Sequence, residues 1–549
     1  MNFVLRHIRI LALLLAGAIG GTAIAAIAAN DTAKKPETPA KTEPATLSSK
    51  YFNAEEAQSS GSVNVEGDTV GYDAVAGTII VHPKNWDDTA AKTNDKDLNA
   101  NNPDAEAAMF FVAYFKHGAD AKNRPITFLY NGGPGSSTVW LHMGAFGPRR
   151  VITSNDSHTP AAPYQVVNNA YSLLDASDLV FIDAPGTGFS RIAGKDKEKA
   201  FWGVDEDANA FANFIVQFLG KYGRWNSPKY LFGESYGTTR NAVLVNLLET
   251  DRDVDFNGVI MLSQILNFDL SPDSPEFNPS IDMPYVLALP TYAATAWYHH
   301  KLPGNPADLN KLLGEVQHFA MGDYAQALQA GAALNTKQRN AIAAKLHQYT
   351  GLPVSYILKA NLRIDGGEFE KNLQDANDVT TGRLDTRFSG PTLDPLSKEA
   401  SYDPQSAAIS SAYVSAFNDY VRKQLHYGQG KEFKPEIDVF KDWDFLHSPP
   451  GVGQALPQSP NVIPDLSVAM KYNPDLQVML NAGYFDLATP FYEGIYEMRQ
   501  MQIPRKMQAN IEEHFYRSGH MVYANEDSLK ELHDNVAAFI RRTYRPAGD

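Results

Sequence analysis

Gly233-Glu234-Ser235-Tyr236-Gly237 sets a serine between two glycines. The apolar run Tyr230-Leu231-Phe232 precedes it, and Ala242, Val243, Val245, Leu247 and Leu248 follow at helical spacing. A turn this tight between strand and helix strains its central residue. Flanking glycines remove the clashes, and the hydroxyl is pushed out at the carboxyl end of a sheet. A serine hydroxyl is a poor nucleophile near neutrality; it needs a base to take its proton, and the base needs a partner to orient it. Asp486 and His520 are of the right types, and each follows the end of a strand pattern, Leu476-Gln477-Val478-Met479-Leu480 and Ile511 to Tyr516. Each has a plainer reading alone: Ser235 or Asp486 as a helix cap, His520 as a loop histidine. Their joint placement on three strand ends points to a nucleophilic relay. Among competing bases, His514 falls inside the last strand pattern, and His299-His300 lies far from any strand end. No His-Glu-x-x-His spacing supports zinc, so neither metal nor cofactor is expected.

The elements that must hold these residues alternate. Runs at Gly71 to His82, Ala108 to Phe115, Pro125 to Tyr130, Asp178 to Ile182, Val259 to Leu262, Leu476 to Leu480 and Ile511 to Tyr516 read as strands. Two of them open into glycine-rich loops, Asn131-Gly132-Gly133-Pro134-Gly135-Ser136-Ser137 and Asp183-Ala184-Pro185-Gly186-Thr187-Gly188-Phe189-Ser190. Such loops let backbone N–H groups approach a ligand, and no Lys-Ser/Thr pair closes the first as a nucleotide-phosphate loop. Phe211, Phe214, Ile215, Phe218 and Leu219 form one face of a helix before the serine, and Leu529, Leu532, Val536, Phe539 and Ile540 form a closing one. Between about residues 269 and 436 strand signals fade. A helix is expected from Asn305-Pro306, another capped by Thr336 and stopping before Gly351, and a third from Ser410 to Leu425. Strand–helix alternation with one helical excursion, and the order Ser, Asp, His, give an α/β-hydrolase fold with a mainly helical cap insertion.

The 549 residues carry a net charge of −15, which disfavours nucleic acid as a partner, and no cysteine, which excludes disulfides and thiolate chemistry. Arg6 and Arg9, an apolar stretch from Ile10 to Ile19, and Ala23-Ile24-Ala25 and Ala26-Ile27-Ala28 read as a signal peptide over residues 1–28. An uncleaved membrane anchor is the alternative. Residues 29–50, rich in Lys, Pro, Thr, Glu and Ala, read as a disordered tether, and Asp95 to Asp104 as a loop. The remaining division is 51–268 and 437–549 for the two parts of the hydrolase domain, with 269–436 as the insertion. After signal cleavage no membrane contact is expected, and the compartment is periplasmic or extracellular.

Asn131-Gly132-Gly133-Pro134-Gly135, Gly233-Glu234-Ser235-Tyr236, Gly483-x-x-Asp486 and Gly519-His520-Met521 resemble, in order, the motifs of the serine carboxypeptidase family, peptidase family S10. Asn361-Leu362-Arg363 and Gly382-Arg383-Leu384-Asp385 look like the insertion of its bacterial members, a weaker match. The resemblance implies Ser235 as nucleophile, His520 as general base then acid, and Asp486 as its orienter. Backbone N–H groups of Gly133 and Tyr236 would form an oxyanion hole. Asn131, Gly132 and Glu234 would meet the α-carboxylate of a peptide or protein C-terminus. A carboxylate does not accept another carboxylate, so a buried, protonated Glu234 would act as donor, with activity best in mild acid; pairing of Glu234 with Arg240 is the plainer alternative. The chain departs from the family where a second glutamate is usual: Ala145 stands there, in Gly144-Ala145-Phe146-Gly147-Pro148. Ser136, Tyr484 and Ala184 also replace usual family residues, and the family's disulfides have no cysteines to form them. The reading is an exported serine carboxypeptidase acting through an acyl-enzyme. An esterase or acyltransferase, and a non-catalytic binding protein of the same fold, stand as alternatives.

Overall fold

The computed structural model describes residues 52–84, 86 and 105–544. The expected signal peptide, tether and Asp95–Asp104 loop lie outside these residues. Nine strands form the body of one sheet: β1 (Glu56–Val65), β2 (Asp68–Val81), β3 (Glu106–Lys116), β4 (Ile126–Tyr130), β5 (Asp178–Ile182), β6 (Lys229–Glu234), β7 (Gly258–Leu262), β8 (Gln477–Gly483) and β9 (Ile511–Tyr516). Their order is β1-β2-β3-β5-β4-β6-β7-β8-β9, with a short strand, Arg191–Ala193, added on β3. β1 to β3 pair antiparallel, β3 pairs antiparallel with β5, and every neighbour from β5 to β9 is parallel. That topology is the α/β-hydrolase sheet. Parallel strands need crossovers, and the crossover helices cover both faces, so the inner strands are apolar nearly throughout.

Alternation assigns the two faces. Leu231, Val259 and Met261 pack with α1 (Val204–Lys221), α2 (Tyr236–Asp251) and α7 (Ile463–Tyr472). Tyr230, Phe232, Ile260 and Leu262 pack on the other side with α9 (Glu526–Thr543) and α6 (Pro404–Lys423). Between β7 and β8 run α3 (Met283–Tyr298), α4 (Leu309–Phe319), α5 (Thr336–Thr350) and α6. The first three share a core of their own, with Val286, Leu289, Val316 and Leu346 at its centre. α6 instead lends Ile409, Tyr413, Phe417 and Tyr420 to the sheet's core. α8 (Phe491–Gln500) follows β8. Among the described residues no helix is long and apolar enough to cross a membrane.

Several local expectations shift. α4 starts at Leu309 because the Asp308 side chain accepts from Lys311 N–H, so Asn305-Pro306 stays outside. Asn335, not Thr336, caps α5 through a reciprocal box with Gln338, and Gly351 ends it in the left-handed region at φ 73°. α6 begins six residues before Ser410, at Pro404, because Asp403 caps it.

The amino end of β5 is held by buried charge. Asp178 accepts from Arg124 Nε (3.0 Å), Arg224 Nη1 (2.6 Å) and the Lys116 amide (2.9 Å). Removing the carboxylate leaves two buried guanidinium groups without their anion. Asp178→Ala should therefore lower stability by about 3–5 kcal/mol, measured by urea unfolding. Asp178 lies at the opposite end of the strands from Ser235.

Candidate active site

β4, β5, β6, β8 and β9 run in one direction, so their carboxyl ends open on one edge. That edge collects Asn131–Ser137, Asp183–Ser190, Ser235, Asp486 and His520. Ser235 sits at φ 60°, ψ −129°, between β6 and α2. This is a sparsely populated conformation for a residue with a Cβ, and surrounding packing must hold it. A Cβ on Gly233 would collide with the Gly237 backbone, and one on Gly132 would lie 2.7 Å from Gly237 N, so the elbow and the first glycine-rich loop touch backbone to backbone. Tyr236 is the first residue of α2, where an N–H has no intrahelical acceptor. Gly133 lies in the facing loop at φ 107°.

Asp486 is fully buried. Its Oδ1 accepts from Ala488 and Thr489 N–H, both at 3.0 Å, and its Oδ2 accepts from Thr489 Oγ1 at 2.7 Å and lies 2.9 Å from His520 Nδ1. The turn after β8 thus fixes the carboxylate, and the carboxylate fixes the imidazole. Burial pulls the His520 pKa down, but Asp486, through charge and hydrogen bond, and then Glu234 raise it, and the net shift is upward. The end of β7 stands between the elbow and the histidine loop: Ser235 N–H donates to Leu262 O at 2.9 Å, and Ser263 Oγ donates to His520 O at 2.7 Å.

Glu234 is 3 % exposed and is pushed up to about 7 by burial; the His520 charge and hydrogen bonds from Tyr523 and Asn131 oppose that rise, and the Asp486 charge adds to it. Arg240 does not pair with it. The guanidinium is taken by Asp207 (Nε to Oδ2, 2.6 Å) and by Asn131 O (2.9 Å). Tyr523 Oη donates to Glu234 Oε2 at 2.8 Å. Burial, then the Glu234 charge, push this phenol well above its usual range, so it remains the donor. The Tyr523 ring lies against Gly144, the neighbour of Ala145. The partner of Glu234 is therefore a phenol from the loop after His520. Sequence reasoning missed Tyr523, because one tyrosine three positions beyond a histidine carries no motif. Tyr523→Phe removes a bond that favours the Glu234 carboxylate. The Glu234 carboxyl should then titrate about one pH unit higher, followed by its carboxyl carbon resonance, the size set by roughly 1.5 kcal/mol for a bond to a charged group.

Two further supports were not read from the sequence. The second glycine-rich loop braces the first through Asp183, whose Oδ1 accepts Thr138 N–H at 2.8 Å. A return segment then lies along Gly135–Ser137: Ser137 N–H donates to Pro435 O and Ile437 N–H to Gly135 O, both at 2.9 Å. Val439 and Trp443 from that stretch pack on the Tyr236 ring. His514 lies within β9, while His299, expected far from strand ends, reaches Thr386 O at 2.6 Å, and Thr386 N–H donates to Phe485 O beside Asp486. The α3 helix ends over the β8 turn, a packing invisible in sequence separation. A hollow of about 480 Å³ lined by Asp255, Asn257, Asn473 and Arg542 sits at the amino ends of β7 and β8, away from these groups.

Residues 83–268 match the family model for serine carboxypeptidase. That stretch holds both glycine-rich loops and the Ser235 elbow. The chain is 31% identical over 138 residues to a carboxypeptidase Y homolog of Arthroderma benhamiae, covering 25% of each chain. It is 29% identical over 133 residues to serine carboxypeptidase-like 2 of Arabidopsis thaliana, covering 24% of this chain and 29% of that one. The chain thus spans between a quarter and a third of the length of these curated relatives. Among solved structures, it is similar to a proline iminopeptidase of Mycobacterium smegmatis, with 12% identity, a TM-score of 0.32, and 88% and 98% of the two chains covered. A carboxyl esterase of Bacillus coagulans gives 11% identity and a TM-score of 0.33, with 85% and 98% covered.

Proposed function

We propose that this protein is an exported serine carboxypeptidase that removes residues from free peptide C-termini through an acyl-enzyme. The observation that carries the reading is a buried acid, Glu234, held at about 7 directly beside the strained Ser235. A protonated Glu234, with Asn131 and the Gly132 amide, receives the α-carboxylate of the substrate. That contact leaves the last peptide bond at Ser235. The Ser235 oxygen attacks the carbonyl carbon while its proton passes to His520 Nε2, and Asp486 holds the imidazole by Nδ1–H and stabilises the imidazolium. The N–H groups of Gly133 and Tyr236 receive the oxyanion; one such donor contributes roughly 2.7–4 kcal/mol in hydrolases. The C–N bond then breaks, His520 gives its proton to the leaving amine, and the amino acid departs. Water, losing a proton to His520, attacks the ester carbonyl; the bond from Ser235 Oγ to the acyl carbon breaks, His520 gives that proton to Ser235 Oγ, and the shortened peptide leaves as the free acid.

Ala145 favours a second reading, an esterase or acyltransferase with the same relay, because the carboxyl pair usual in the family is incomplete. A blocked dipeptide with a free carboxyl and its p-nitrophenyl ester analogue separate the two. The carboxypeptidase reading expects the free-acid peptide to be hydrolysed and its C-terminal amide to be a poor substrate below pH 7. Turnover of the ester alone would overturn it. A non-catalytic protein would not be labelled by a fluorophosphonate probe.

A further inference from the structure

Gly382-Arg383-Leu384-Asp385 has no part in the chemistry above, yet it lies on both acid and base. Leu487 N–H donates to Arg383 O (3.1 Å) and Thr386 N–H to Phe485 O (2.9 Å), so the insertion grips the residues on either side of Asp486. His520 N–H donates to Leu384 O (2.6 Å) and Gly519 N–H to Asp385 Oδ2 (3.1 Å), so the same loop grips the base. A Cβ on Gly519 would lie 2.5 Å from Asp385 Cα and Cγ; only glycine lets the histidine loop seat there. Asp385 is fully buried, and its carboxylate also receives Arg387 Nη2 (2.6 Å), whose fork extends to Ser518 Oγ (3.2 Å). The loop is tied back into the insertion. Asp403, the cap of α6, accepts from Arg383 N–H (2.7 Å), and Thr386 Oγ1 bonds Thr295 of α3 (2.6 Å). His520 is therefore held by its carbonyl from the sheet, through Ser263, and by its amide from the insertion.

We propose that the insertion is part of the catalytic scaffold, with Asp385 the positioning residue that sets the His520 imidazole on Asp486. This rests on His520 acting as the general base. The plainer view is that the loop only fastens the insertion to the sheet. Asp385→Asn keeps the volume but removes the charge and sets an NH2 group either against the Arg387 N–H and Nε that Oδ1 accepts or against the Arg387 Nη2 and Gly519 N–H that Oδ2 accepts. Gly519→Ala pushes on the same contact from the other side and serves if the first variant does not fold. For a base displaced by about 1 Å the expected loss in kcat is about 100-fold with KM unchanged, and the rate of fluorophosphonate inactivation should fall in parallel. In a His520→Ala background, where no imidazole remains to be placed, Asp385→Asn should change the residual p-nitrophenyl ester rate by less than about twofold. An equal loss in both backgrounds, or none in either, would overturn the proposal. A readout independent of turnover is the low-field proton resonance of His520 Nδ1–H. It should be sharp in the wild type and broadened or shifted upfield in Asp385→Asn, and an unchanged resonance would count against the proposal. A wild type with that resonance but neither turnover nor labelling would instead defeat the functional reading.

Discussion

Ser235→Ala leaves a folded protein whose turnover of blocked dipeptides and esters falls by about 10⁶-fold, the scale seen when the nucleophile of a serine hydrolase is removed. Alanine relieves nothing at φ 60°, because strain there comes from the Cβ that both residues carry. The urea midpoint should therefore stay close to wild type, while fluorophosphonate labelling disappears. Turnover within about tenfold of wild type would remove Ser235 from the mechanism, and with it the role assigned to the Asp486–His520 pair.

Glu234→Gln reshapes the pH profile. With Glu234 held at about 7, free-acid substrates lose their donor as the carboxyl ionises, and kcat/KM should decline by about tenfold per pH unit above that value. Glutamine keeps a donor at every pH, so the decline should flatten. Stability carries the same sign. A group whose folded pKa lies above its unfolded value stabilises fully below the ordinary carboxyl range, and that contribution is lost as pH rises through about 7. The melting temperature of Glu234→Gln should accordingly fall less than that of the wild type between pH 6 and 8. A variant whose kcat/KM and melting profiles both overlay the wild type would remove Glu234 from carboxylate recognition.

Much of the arrangement was legible because the chain marks its strand ends. Glycine-rich loops, a serine between glycines, and an aspartate and a histidine after strand patterns each stand where a parallel sheet must turn. β1 was not seen: Glu56 to Val65 is polar on alternate positions because it is the sheet's edge strand, with one face in water. α3 was hidden by Pro290 within it and by apolar residues all round, a pattern without the one-sided stripe that flags a surface helix. The partner of Glu234 was unreadable for a different reason. Ala145 announces that a carboxyl is missing, but nothing in the spacing says that Tyr523 stands beside that place. Asp385, too, is one acid among many until the fold lays it on Gly519, 134 residues away.

The most direct test follows one defined peptide through time by mass spectrometry, in parallel with its C-terminal amide and with the Ser235→Ala protein. Successive loss of single residues from the free carboxyl end, slow on the amide below pH 7 and absent in the variant, is the result expected. Internal cleavage, loss from the amino end, or an equal rate on acid and amide would contradict the assignment of Ser235 and Glu234 to one carboxypeptidase site.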